Sequence, residues 1–156
     1  MNPSDPARWT LPPPMRAALD EAAFAADAGE VPVGAVVTLN GAIVARAHNQ
    51  PRALRDPTAH AEMLAIRAAA GVLGQERLGA CDLWVTLEPC AMCAGAIAHA
   101  RVRRLYYGAS DPKGGGVEHG ARVFTHDQAL HRPEVYGGIG AGEAAELLRA
   151  FFRARR

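Results

Sequence analysis

The sequence predicts an α/β fold, one mixed sheet with helices on both faces. Three observations carry this. β-branched and apolar stretches flank an Asn40-Gly41 turn, a strand–helix–strand run fills residues 81–107, and the chain closes on a helix with a clear apolar stripe. With 156 residues, 49% hydrophobic and 21% charged, the chain suits one globular domain of ordinary size. No apolar run nears the roughly 20 residues that a membrane-spanning helix needs. The N-terminus lacks the basic-then-apolar order of a secretory signal, so a cytoplasmic protein is expected.

Pro3, Pro6, Pro12 and Pro13 make residues 1–13 a flexible Pro-rich arm ahead of a single domain, 14–156. From Met15, the apolar positions Met15, Ala18, Leu19, Ala22 and Ala26 recur with helical spacing until Gly29. Val31 to Leu39 reads as a strand. Asn40-Gly41 is a two-residue hairpin turn, and Ala42 to His48 returns as its partner. Asp56-Pro57-Thr58 starts a helix expected to run to Ala70, because Asp caps and Pro is tolerated in a first turn. Cys81 to Leu87 is a buried strand, Pro89 begins a helix through about His99, and Val102 to Tyr107 is another buried strand. So short a strand–helix–strand run implies a parallel pair joined by a right-handed crossover. A loop rich in glycine (Gly108, Gly114, Gly115, Gly116, Gly120) follows, with one short helix near Asp127. Val135-Tyr136 is a short strand that Pro133 confines to an edge. In the last helix, Ala144, Leu147, Leu148, Phe151 and Phe152 share one face, with Arg149, Arg153 and Arg156 off it.

The net charge of +1 hides an asymmetry. Residues 1–100 carry seven arginines against ten carboxylates, whereas residues 101–156 carry ten cations against six. The basic half predicts local arginine patches on a near-neutral protein. Three cysteines cannot form a closed disulfide set, so metal and catalytic roles are considered first.

Two segments carry the chemistry, His60-Ala61-Glu62 and Pro89-Cys90-Ala91-Met92-Cys93, each at an expected helix N-terminus. Cys90 and Cys93, three apart, share a helix face near the positive end of the dipole, which favours thiolates. His60, from another helix, completes three protein ligands. Zinc takes four, so three leave a position for water, the arrangement of a catalytic site. Two thiolates offset the charge of the ion, and a general base beside it is then useful. Glu62 is the candidate, since first-turn side chains lean toward the helix N-terminus. A zinc staple and a redox dithiol are the competing readings of C-x-x-C. H-x-E together with P-C-x-x-C is far more specific, and it is the signature of zinc-dependent nucleobase deaminases.

On these residues the chain resembles the bacterial tRNA-specific adenosine deaminases of the cytidine-deaminase-like superfamily. The matching stretches are 30–36, Asn49, 56–62, 86–97 and 108–114, and the closing residues 151–156 are similar to the family's last helix. The resemblance implies a three-layer α/β/α fold with a five-stranded mixed sheet, and a homodimer. It implies one zinc ion per subunit and hydrolysis of adenosine to inosine at the wobble position of a tRNA anticodon stem-loop. Carried over by position, His60, Cys90 and Cys93 are the zinc ligands and Glu62 the proton shuttle. Asn49 hydrogen-bonds the flipped base, Ala61 places its backbone at the base, and Asp111 lies near the anticodon backbone. Residues 115–124 and Pro133 depart from the family's pattern, which leaves substrate details open there.

A deaminase of free guanine or cytosine in the same superfamily is the alternative, and a non-catalytic zinc-stabilised RNA-binding module is a second class. Glu62 speaks against the module, because a staple needs no carboxylate beside its ligand. Of the remaining residues, Cys81 is expected in the core and His48 at a hairpin end. Tyr106 and Tyr107 should alternate between a face and the core. Glu88 should make a local structural hydrogen bond.

Overall fold

The computed structural model describes residues 11–155. The expected arm lies outside the described residues up to position 10. Helix α1 (Pro13–Asp27) opens two residues before Met15, with prolines in its first turn, where a missing N–H costs nothing. Strands β1 (Gly34–Leu39) and β2 (Ala42–His48) form the expected hairpin. Asn40 and Gly41 both have positive φ, 51° and 79°, as a type I′ turn requires. β1 starts three residues later than expected. Pro32 has no N–H to pair, and the neighbouring backbone bonds elsewhere: Val33 accepts from the Asn49 N–H, and the Gly34 N–H donates to the Thr86 hydroxyl.

Helix α2 (Ala61–Leu73) does not start at Asp56. Asp56 Oδ1 instead accepts from the Thr58 N–H and hydroxyl, closing a turn before the helix. α2 also runs past Gly71 to a left-handed cap at Gly74, since an exposed glycine is tolerated inside a helix. β3 (Cys81–Leu87) has the expected bounds, with Cys81 buried. α3 (Ala91–Ala100) and β4 (Arg104–Ala109) follow, and β3 and β4 pair in parallel. The short helix is a 3₁₀ turn at Val123–Thr125, ahead of the expected place. β5 (Glu134–Tyr136) is an edge strand, and α4 (Ala141–Arg153) closes the described chain.

The five strands lie in the order β2-β1-β3-β4-β5, with β1 antiparallel to β2 and β3, and β4 parallel to β3 and β5. One core packs α2 and α3 on the sheet through Ala65, Ala69, Ala94 and Ile97 against Val37, Leu83, Val85 and Leu105. A second core packs α1 and α4 on the other face through Met15, Leu19 and Ala144 with Val36. The mixed sheet and its two helical layers are therefore as expected. One detail of the stripes differs: Phe152 is half exposed while Phe151 is buried. Tyr106 stacks between Trp84 and Tyr136 while Tyr107 fills the core, the expected alternation. No helix among the described residues is long and apolar enough to cross a membrane.

Gly34 sits where α1 meets β1. A Cβ there would come within 1.9 Å of the Ala18 carbonyl oxygen. Gly34→Ala is expected to push the helix off the sheet and cost about 1–3 kcal/mol or more of stability. Urea unfolding, reading a lower midpoint at unchanged slope, checks this.

Candidate active site

The site forms where α2 and α3 begin. His60 is the residue immediately before α2, with φ −73° and ψ 151°, and Cys90 immediately precedes α3, with φ −70° and ψ 174°. Both are extended, and neither side chain bonds its own helix end, so both are available to each other. His60 Nδ1 lies 3.6 Å from Cys90 Sγ and 3.5 Å from Cys93 Sγ. Bond lengths of about 2.3 Å to sulfur and about 2.05 Å to nitrogen at a tetrahedral angle put such ligand atoms about 3.6 Å apart. The two nitrogen–sulfur sides thus match a zinc site, and all three ligand atoms lie within 4.8 Å of one another, with one corner of a tetrahedron left over. The three residues are the metal-competent group found among the described residues.

The protons of the triangle support this. The Cys90 thiol is pulled down to about 4 by hydrogen bonds from Cys93 and His60, while Cys93 is pushed up by holding the shared proton and by burial. The His60 ring is raised by its bond to Cys90. A divalent cation bound there would take the place of that proton, with two thiolates and a neutral imidazole as ligands.

Glu62 stands in the first turn of α2 and is 4% exposed. Burial pushes its carboxyl up to about 6, with the positive His60 ring pulling the other way. That is a useful value for a group that must take and give a proton near neutral pH. A cavity of about 560 Å³ opens over the site, and its lining includes Asn49, His60, Glu62, Cys90 and Asp111. Asn49 is tied down: its Oδ1 accepts from the Ala61 N–H at 2.8 Å. This leaves the amide nitrogen as the donor end of Asn49, and the Ala61 N–H is already engaged. Asp111 Oδ1 accepts from the Lys113 and Gly114 N–H groups, so the carboxylate shapes its own turn.

Several lining residues were not singled out from the sequence. Glu30, 3% exposed, accepts from the Arg52 and Ala53 N–H groups and holds the 50–55 loop at the cavity. Phe151 and Arg155 close the far wall, with the guanidinium 3.4 Å from the ring centre. The basic tail hinted at Arg155, but only its stacking on Phe151 turns it toward the site. Other arginines of the basic half are partnered, Arg103 with Asp82, Arg104 with Glu134, and Arg149 and Arg153 with Glu146. Glu88 is not locally bonded, contrary to expectation. Its carboxylate reaches residues 23–31 positions further along the chain, because the ends of the parallel strands β3 and β4 lie side by side.

The family model described as MafB19-like deaminase matches residues 13–156. A tRNA-specific adenosine deaminase of Agrobacterium fabrum (strain C58 / ATCC 33970) is 56% identical over 142 residues, covering 91% of this chain and 93% of the relative. The chain belongs to this deaminase family. A solved structure from work on A-to-I editing by tRNA:A34 deaminases at the wobble position of transfer RNA is also similar. It superposes with a TM-score of 0.86 at 56% identity, covering 86% of this chain and 98% of that one. A guanine deaminase from Nitrosomonas europaea has the same fold, with a TM-score of 0.75 at 24% identity over 94% of this chain and 84% of that one.

Replacing His60, Cys90 or Cys93 by alanine is expected to take bound zinc from one per chain to near none, measured by elemental analysis of the purified protein. Zinc should also be released as the pH falls, because protons compete for the two sulfurs and the imidazole.

Proposed function

We propose that the protein hydrolyses adenosine to inosine at the wobble position of tRNA. The observation that carries this is the His60–Cys90–Cys93 triangle with the buried Glu62 beside it, in a chain 56% identical to a tRNA-specific adenosine deaminase. His60 Nδ1 and the two sulfurs would hold a zinc ion. Bound there, zinc supplies Lewis acidity that makes water a nucleophile at neutral pH.

The rest of the reaction falls to the chain's own side chains. Water adds at C6 of adenine, the C6–N bond breaks, and ammonia leaves. Glu62 takes one proton from the attacking water and delivers it to the ring nitrogen N1, then takes the second from the new C6 hydroxyl and delivers it to the departing amino group, leaving a C6 carbonyl. Its raised affinity for protons suits both directions. Asn49, held by the Ala61 N–H, presents its amide nitrogen to the base, and Ala61 sets that orientation from the backbone. Asp111 and the turn it shapes face the nucleotide's backbone. An anticodon loop gives up a base cheaply, since its bases are already unpaired. Arg52 and Arg155 at the cavity supply positive charge for the neighbouring phosphates. A homodimer in the cytoplasm, with residues 14–156 acting as one deaminase domain, completes the proposal.

Zinc-loaded protein is expected to form inosine in an anticodon stem-loop with adenosine at the wobble position. Ammonia release from free guanine or cytosine without inosine formation would instead establish a free-base deaminase, for which the guanine deaminase likeness carries fold alone. Glu62→Gln should keep zinc and fold but lower kcat by about 10²–10⁴-fold, as loss of a general acid–base does. Arg52→Ala and Arg155→Ala should each raise KM for the stem-loop and flatten the fall of affinity with salt by about one phosphate's share, measured by binding across a salt series.

A further inference from the structure

Glu88 is a buried carboxylate that the mechanism above does not use. It sits between the end of β3 and Cys90, is 2% exposed, and lines the cavity. Its Oε1 accepts from the Asp111 N–H at 3.0 Å and from His119 Nδ1 at 2.7 Å. Its Oε2 accepts from the N–H groups of Val117, Glu118 and His119 at 3.2, 3.0 and 3.2 Å. Five donors thus surround an acceptor-only group. Burial alone would raise its pKa, and the bonds from Asp111, His119 and Glu118 outweigh burial and hold it below the usual range.

The donors all belong to one loop, 111–119, and that loop is seated without any side chain in between. A Cβ on Gly115 would lie 2.5 Å from the Glu88 carboxyl carbon, and one on Gly116 would lie 2.5 Å from the Ala91 nitrogen in the first turn of α3. The Gly116 N–H donates to the Pro89 carbonyl, which adds a backbone tie at the same place. Two residues of the seated loop, Asp111 and Gly114, line the cavity.

We propose that Glu88 is a positioning residue that clasps loop 111–119 onto the start of α3, and thereby holds Asp111 as the RNA-facing wall of the pocket, with His119 as the side chain that completes the clasp. This deepens the tRNA reading and rests on it. An amide cannot replace the carboxylate here. Turned one way, its NH₂ faces the N–H groups of Val117, Glu118 and His119; turned the other, it faces the Asp111 N–H.

The test measures inosine formation in the anticodon stem-loop, zinc content and amide hydrogen exchange for the wild type, Glu88→Gln, His119→Ala, His119→Asn, Asp111→Ala and the Glu88→Gln/Asp111→Ala double variant. Glu88→Gln is expected to keep one zinc per chain and to raise KM at least fivefold, by a larger factor than kcat falls. Exchange should speed up across 111–119. The double variant should show little further rise in KM over Asp111→Ala, because both act on one wall. His119→Ala should move KM and exchange in the same direction by less, and His119→Asn should restore them, since its amide nitrogen can reach where Nδ1 reaches.

Zinc loss in Glu88→Gln, a fall in kcat at constant KM, additive effects in the double variant, or unchanged exchange at 111–119 would each overturn the proposal. If Glu88→Gln does not fold, the His119 pair decides it: no change in KM or exchange in His119→Ala rejects the clasp. A wild type that forms no inosine rejects the tRNA reading. The exchange data then still say whether Glu88 and His119 seat the loop.

Discussion

The site depends on two helices starting at the same point. His60 and Cys90 are the last extended residues before α2 and α3, and their side chains are spent on each other and not on capping. Helix starts commonly carry Ser, Thr, Asp or Asn to satisfy their open N–H groups. Here those positions hold a soft nitrogen and sulfur donor set, and the helix dipoles favour the negative charge that a thiolate brings. The parallel pairing of β3 and β4 delivers Cys90 and the loop after Ala109 to the same end of the sheet. Without that pairing the loop after Ala109 would not reach Glu88 at the cavity.

Of the three buried glutamates that line the cavity, Glu62 and Glu88 are tuned in opposite directions. Glu62 is buried with little to stabilise its charge, so its carboxyl rises to about 6 and can exchange protons. Glu88 is buried as deeply, but five N–H donors hold it ionised. Environments that push apart the protonation of like groups assign them separate tasks. One carboxyl is suited to proton transfer and the other to holding backbone. Glu88 carries five hydrogen-bond donors that offset the cost of burying its charge.

Charge follows the same logic of partners over totals. The basic C-terminal half suggested arginine patches, yet Arg104, Arg149 and Arg153 each face a carboxylate on the surface and Arg103 faces the buried Asp82. The cations turned to the cavity are one from each half of the chain, Arg52 on the loop that Glu30 anchors and Arg155 stacked on Phe151. Two guanidiniums therefore line the cavity of a protein whose net charge is only +1.

Much of this was legible locally. The Asn40-Gly41 turn, the bounds of β3, the edge position of β5 and the stripe on α4 follow from residue types and their periods, because backbone preference and the need to bury one face act over a few residues. The pairing of H-x-E with P-C-x-x-C picked out the three side chains that lie close enough to hold a metal and the buried carboxylate beside them, since metal chemistry restricts which residues can serve. The start of α2 was misplaced because Asp56, Pro57 and Thr58 look alike whether they cap a helix or close a turn before one. Glu88 was misjudged because its partners lie 23–31 residues away. By itself, then, the sequence determined which segments form strands and helices and which side chains are candidates for the chemistry. Only the tertiary structure decided the distances in the triangle, the opposite protonation of the two glutamates and which arginines face the site, because each depends on donors and charges that the fold brings together from separate elements.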